Sequence, residues 1–325
     1  MKITICYITA RKQPMFKWFV ESLITQYPNG IVDDQVVIVD VFVDYDENRK
    51  EDLKKLVNNR FEYAHTASKP SIWNGKHRKT SRNFYDGPST RNTGFIICDT
   101  SYLVYVDDLT VLMPNWLSYH KRAAEKNLIF SGAYDKVSDI CFEGNVFKSY
   151  HKNDVDHRMT YQKDDNDLKS GGGWAFGTNT GFPMEYILKV NGYDEFFGAR
   201  RGCEDCNLGI RLENAGFADK IYYNKNCLTI EDSLLHYTGE NEVNELYSVR
   251  VWKSDINKSN QRHAFLAKTY NDLEHAHLYK NKMYTTYDTH FNLEKERLLY
   301  KQTNTFKMVD DYNFVDFDGE KINEL

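Results

Sequence analysis

The sequence predicts an α/β fold in which a mostly parallel sheet is flanked by helices, and three observations carry that expectation. Two short runs rich in β-branched residues, Ile3 to Ile8 and Val36 to Val43, are apolar on both faces, as strands buried on both sides must be. Between them Met15 to Tyr27 has apolar positions at helical spacing, and the charged stretch Glu47 to Asn59 reads as a second helix before Phe61 to Tyr63 begins a third strand. Strand, helix, strand, helix is the grammar of parallel strands joined by crossover helices.

The remaining elements follow in order. Thr9 to Pro14 is a polar turn after the first strand. Ser68 to Arg82 is a long polar loop that carries Lys69, Trp73, Lys76, His77, Arg78, Lys79 and Arg82. Ser89 opens a helix that runs through Ile97, and Tyr102 to Val106 is a short central strand ending at Asp107 and Asp108. Pro114 to Lys126 is a helix and Leu128 to Tyr134 a strand. Asn145 to Gly173 lacks a hydrophobic period and ends in three glycines, so it is expected to be a lid or disordered. Structure resumes at Gly177 to Asn191, Asp205 to Ala215 is helical, and Ile221 to Ile230 is a strand. Residues 1–238 therefore read as one domain with halves 1–110 and 111–238, and 239–325 as a helical or irregular C-terminal extension.

With 325 residues, 41% of them hydrophobic and 27% charged, the chain can bury a substantial core. A formal charge of −5 argues against a protein that coats nucleic acid non-specifically, while leaving room for a local basic groove. The 23 tyrosines and 19 phenylalanines serve a core first, and could also stack sugars or bases. Of the six cysteines only Cys203 and Cys206 are closely spaced, and no second pair completes a zinc site; free thiols in a reducing compartment are expected. The apolar start is too short for a signal peptide and no run reaches the ~20 apolar residues of a membrane helix, so the expected location is cytoplasmic.

Four constellations carry chemistry. Asp107 and Asp108 close a central strand, where open α/β sheets bind ligands; adjacent carboxylates there call for a cation, and hard oxygens suit Mn2+ or Mg2+. Arg91-Asn92-Thr93-Gly94 lies one helix upstream, with an Arg that could pair with phosphate or simply sit in a capped helix. Asn191 to Gly198 reads NGYDEFFG, a turn, and Gly202 to Leu212 reads GCEDCNLGIRL, placing Glu204 and Asp205 at a helix start. A carboxylate so placed can accept a proton from an attacking hydroxyl, or be an ordinary acidic first turn. His236, beyond the last strand, is a third metal ligand or a structural histidine.

Taken together, these segments resemble family-2 glycosyltransferases of the GT-A fold, with a galactosyltransferase-type acceptor region marked by the NGYDE and GxEDxxLxxRL patterns. The resemblance covers roughly residues 1–236. It implies a Rossmann-like domain that binds a nucleotide sugar, a UDP-sugar by preference, and transfers a hexose with inversion. By position it implies that Thr9 and Arg11 touch the nucleotide, that Asp40 or Asp44 holds the base or ribose, and that Arg91 and Asn92 belong to the Arg-Asn-x-Gly helix. Asp107 and Asp108 match the metal motif, although Leu109 stands where the family commonly has a further acid; Asp108 is taken as the metal ligand, with His236 as its partner. Asp205 is implied as general base with Glu204 beside it, and Gly171 to Trp174 resembles the mobile glycine-rich segment whose Trp174 closes over the donor.

The acceptor implied is a carbohydrate hydroxyl on a glycan or lipid-linked sugar. A hydroxylated base in DNA is the rival, suggested by the basic loop around Trp73 and by the Lys, Arg and Tyr of the C-terminal extension, though nucleic acid is the less favoured partner. A non-catalytic sugar-binding protein on a transferase fold is the third reading.

Overall fold

The structure, a computed structural model, describes residues 1–11, 13–27, 30, 33–44, 47–70, 87–195, 204–233 and 291–307. The first half alternates as expected: β1 (Thr4–Thr9), α1 (Phe16–Thr25), β2 (Gln35–Asp40), α2 (Glu47–Val57), β3 (Tyr63–Thr66), α3 (Gly87–Ile97) and β4 (Tyr102–Asp107). Then come β5 (Thr110–Leu112), α4 (Trp116–Glu125), β6 (Ile129–Glu143), β7 (Val146–Asp154), β8 (Leu168–Lys169), β9 (Thr180–Pro183), α5 (Met184–Lys189), α6 (Glu204–Leu212), β10 (Ile221–Asp232) and α7 (Leu293–Thr303).

One mixed sheet organises the chain in the order β3-β2-β1-β4-β9-β6-β10-β5, with β7 on β6 and β8 on β10. Strands β3, β2, β1 and β4 are parallel, as are β6 and β10; β9 runs antiparallel between the two sets. The chain winds from β1 outward to β3 and then returns to β4 on the other side of β1. That reversal is a switch point, where the carboxyl ends of the strands open a crevice. The register aligns Thr9 with Asp40, and Ile8 with Asp107, so those ends share one rim.

Each face of the sheet has its own core. On one face Ile5, Tyr7, Val36, Ile38 and Val104 meet α1, α2 and α4; on the other Cys6, Ile8, Val37, Val39 and Tyr105 meet α3, α5 and α6. Alternate residues of β1 thus enter opposite cores, which explains why the run reads as continuously apolar. The described C-terminal segment, residues 291–307, is integrated. Phe291 and Leu293 join the second core, Asn191 Nδ2 donates to the Phe291 carbonyl at 2.7 Å, and the Leu293 N–H donates to Asn191 Oδ1 at 2.8 Å.

Two expectations need correction. The strand expected to end at Tyr134 continues to Glu143, and the start of the stretch expected to be a lid or disordered, Val146–Asp154, is its hairpin partner β7. Most β7 side chains are exposed, so only Phe147 and Tyr150, packed against Phe142 and the Val111 cluster, carry a hydrophobic signal too sparse to read as a strand. Five described cysteines are free thiols, and Cys203 lies outside the described residues. Among the described residues no helix is long and apolar enough to cross a membrane.

The junction between the two parallel sets is pinned by Asn179, which sits in the left-handed region at φ 52°. Its Oδ1 accepts from Trp116 Nε1 at 2.7 Å and meets His120 Nε2 at 3.0 Å, while its Nδ2 donates to the Ala133 and Cys227 carbonyls. Burial pushes His120 down from 6.5 to about 4, against the opposing pull of Asn179. A histidine so depressed stabilises the fold above its unfolded pKa, and that contribution is lost as pH falls through the folded one, amounting to about 3 kcal/mol. Melting temperature should therefore drop more steeply between pH 6.5 and 4 in the natural chain than in His120→Phe; parallel profiles would contradict this.

Candidate active site

The site is built on the guanidinium of Arg91, in the middle of α3. Arg91 Nη2 donates to both oxygens of Asp107 at 3.2 Å, and Nη1 donates to Glu204 Oε1 at 3.0 Å. One buried cation therefore ties the end of β4 to the start of α6. Its side chain is 4% exposed, against 31% for Asp107 and 12% for Glu204. Asp107 is the carboxylate left open to the crevice.

Close backbone approach makes this bridge fit. A methyl group on Gly177 would lie 2.2 Å from Arg91 Nη2, so the guanidinium uses the space that a side chain would fill. The N–H of Gly177 donates to Asp205 Oδ2 at 2.9 Å, and the Cys206 N–H to Asp205 Oδ1 at 2.7 Å. Asp205 is thus held by main chain, beside but not on the Arg91 bridge. The glycine run at 171–173 has the same logic: a methyl on Gly209 of α6 would come within 1.9 Å of the Gly172 carbonyl oxygen. The glycines let a short turn seat against α6, and the Trp174 ring packs between Tyr161 and Tyr223 at 5.5 and 5.4 Å.

Asn92, next to Arg91, is fully buried. It clamps the NGYDE turn by donating to the Tyr193 carbonyl and to Glu195 Oε1 at 2.9 Å while accepting from the Tyr193 N–H at 2.8 Å. Lys69 reaches the same Glu195 at 2.8 and 2.9 Å, both side chains being 0% exposed. Arg91 lies over the Tyr193 ring at 5.6 Å. Helix α3 and the turn before α6 are therefore one unit. Nothing in the composition of this region singled out Glu195; its signal was only its place in the NGYDE pattern.

Asp108 faces the other way. Its Oδ1 accepts from Tyr7 Oη, from the Met15 N–H at 3.2 Å and from the Leu109 N–H at 2.7 Å; its Oδ2 accepts from Thr9 Oγ1 at 2.7 Å and pairs with Arg11 Nε at 3.4 Å. Five donors exceed the roughly four lone-pair positions of a carboxylate. Asp108, expected as the metal ligand, anchors the loop that carries Thr9 and Arg11. Asp40 is equally occupied, by Arg49 Nε and Nη2 at 2.5 and 2.8 Å, His65 Nε2 at 3.0 Å and the Phe42 N–H at 3.0 Å. Burial works to raise its pKa, but the His65 and Arg49 contacts outweigh that and hold it below the usual carboxylate range. Asp44 is exposed, 3.2 Å from Lys50. His236 and the basic loop from 71 to 82 lie outside the described residues.

The electrostatics set the acids apart. Burial pushes Asp107 up, countered by Arg91 and reinforced by the charges of Glu231 and Asp205. Glu231, absent from the expected site, stands opposite Thr110 in the β10–β5 register and pairs with Lys136 at 2.6 Å. Burial and the Asp205 charge push Glu204 up, against Arg91. Among the described residues no three His, Cys, Asp or Glu side chains group as a metal site. Asp107 nonetheless fits a divalent cation as a hard-oxygen donor, partly exposed and crowded by like charge, whereas Asp108 does not.

No protein-family model matches the chain, and no curated protein matches it. Among solved structures it is similar to S. aureus TarS, at 12% identity over 78% of this chain and 40% of that one, with a TM-score of 0.47. The crystal structure of S. aureus TarS 1–349 is 11% identical over 78% of this chain and 66% of that one, with a TM-score of 0.48. The same protein in complex with UDP-GlcNAc is 11% identical over 72% and 59%, with a TM-score of 0.46. The chain thus spans less than two thirds of the length of these chains.

Replacing Arg91 by Met should destabilise the fold by about 3 kcal/mol at pH 8, because the largely buried Glu204 is left unpaired and Asp107 loses its counter-charge. Their pKa values, raised further without the guanidinium, mean that stability is kept at low pH and lost as pH rises through them, so the deficit should shrink at pH 5. Denaturant unfolding at both pH values measures it; a loss below about 0.5 kcal/mol, of the size seen for exposed pairs, would contradict the bridge.

Proposed function

We propose that the chain is a glycosyltransferase that moves a hexose, with inversion, from a UDP-sugar to a hydroxyl of a glycan or lipid-linked sugar. The observation that supports it most is the Arg91 bridge, which puts the acid pair of α6 over the carboxyl end of β4, at the sheet's switch point. The donor would enter that crevice past the Thr9 to Arg11 loop, whose shape Asp108 fixes. Asp107 would hold a divalent cation, in place of the Asp108 that the family resemblance pairs with His236, and His236 would remain its partner. When bound, the cation would offset negative charge on the diphosphate.

Asp205 is the general base. Its carboxylate takes the proton of the acceptor hydroxyl as that oxygen forms a bond to the anomeric carbon, and the bond from that carbon to the diphosphate breaks with its electron pair leaving on oxygen. Glu204 keeps Arg91 in place through its 3.0 Å ion pair. Trp174, seated beside α6, would border the donor.

A panel of nucleotide sugars with Mn2+, scored by release of free nucleotide, tests the class; UDP-GlcNAc, the molecule held in one of the TarS structures, is the first probe. Asp205→Asn should lower turnover by at least 1000-fold, roughly the contribution of general base catalysis, and leave UDP affinity intact. Asp107→Asn should abolish the gain in UDP affinity that Mn2+ brings, whereas Asp108→Asn should weaken UDP binding equally with and without metal. Normal turnover by the first variant, or the reverse pattern for the other two, would overturn these roles.

A further inference from the structure

Between β7 and β8 the chain makes a short turn, His157–Thr160, bracketed by two of the five large hydrophobic side chains exposed among the described residues: Val155 at 45% and Tyr161 at 61%. Tyr161 is not a stray surface ring. It is the outermost of three rings, with Trp174 half-buried beneath it at 5.5 Å and Tyr223 fully buried beneath that at 5.4 Å.

The rings meet tilted, at 58°, and edge-on, at 83°, and Arg158 braces them from within. Arg158, fully buried, lies 4.8 Å from the Tyr223 ring centroid, donates to the Trp174 carbonyl at 2.7 Å, and has its charge met by Asp156 at 2.7 Å. The buried Tyr223 hydroxyl has no hydrogen-bond partner among the described residues, so that ring serves as packing under Trp174. Chain geometry then places the ring cluster near the chemistry. Gly177 is three positions after Trp174, a reach of at most about 11 Å. The Gly177 N–H is 2.9 Å from Asp205.

We propose that the exposed face of Tyr161, backed by Trp174, is an acceptor platform on which a neutral sugar ring stacks, one or more units away from the hydroxyl that Asp205 activates. The C–H bonds on a pyranose face carry slight positive charge and match the negative face of an aromatic ring. The charges beside Tyr161 are Lys163, Asp164 and Asp165, with Lys225 Nζ donating to the Gln162 carbonyl at 3.2 Å, a set of mixed sign without a basic excess. Carboxylates, amides and ammonium groups all hydrogen-bond sugar hydroxyls, whereas a nucleic acid strand calls for an excess of cations that this patch lacks, so the surroundings suit a neutral glycan. The use of the platform in transfer rests on the transferase reading; the binding itself does not.

The test uses the full chain and a panel of neutral chito-, malto- and galacto-oligosaccharides, titrated by calorimetry, with UDP titrated separately and a short DNA duplex as the competing probe. At least one oligosaccharide should bind, with affinity about tenfold weaker in Tyr161→Ala, near normal in Tyr161→Phe, and with UDP affinity unchanged in both. Oligosaccharide binding that ignores Tyr161→Ala, a panel in which nothing binds, or duplex binding lost in Tyr161→Ala and steeply salt-dependent would each overturn the platform. A Tyr161-dependent sugar that binds a protein unable to release UDP from any donor would uphold the platform while sinking the transferase reading.

Discussion

A single buried cation sets the geometry on which the rest depends. Arg91 is surrounded by carboxylates supplied by two segments more than ninety residues apart in sequence, and neither segment could keep its acids close to the other without it. Buried charges are tolerated only when paired, so the guanidinium and its acids are mutually obligatory. The glycines at 177, 172 and 209 serve the same end: each removes a side chain that would hold α3, the 171–177 turn and α6 apart. Asn92 and Lys69 extend the joint to the NGYDE turn, and Phe291, 4.9 Å from the Lys69 ammonium, brings the C-terminal segment onto it.

The two adjacent acids at the end of β4 illustrate why position within an element matters more than residue type. Consecutive residues leaving a strand point to opposite faces. Asp107 therefore goes toward α3 and α6, and Asp108 toward Tyr7, Thr9 and Arg11. Leu109 then turns the chain into β5 with φ 65°, although it is 1% exposed and carries a branched side chain. Left-handed backbone at a residue other than glycine costs about 1 kcal/mol, and such strain tends to gather at functional sites.

The same physics explains what could be read from the sequence. The alternation in the first hundred residues was legible because strands β1, β2 and β4 are buried on both faces and leave unbroken apolar runs. The acids at 204 and 205 and the Arg-Asn-x-Gly helix were legible as patterns, and they do converge. The β7 hairpin strand was not, since an edge strand facing solvent needs few apolar residues. Nor was the orientation of Asp108 or the saturation of Asp40, because both depend on donors, Tyr7 and Arg49, whose reach is decided by tertiary packing. Glu231 escaped for the same reason: only the β10–β5 pairing brings it near Asp107.

The most direct measurement of the central claim is a double-mutant cycle on folding stability between Asp107→Asn and Glu204→Gln. Because both side chains share the guanidinium of Arg91, the two losses should be coupled by at least about 1 kcal/mol. Losses that add within about 0.5 kcal/mol would mean that the two acids act independently, and the single cleft described above would not exist.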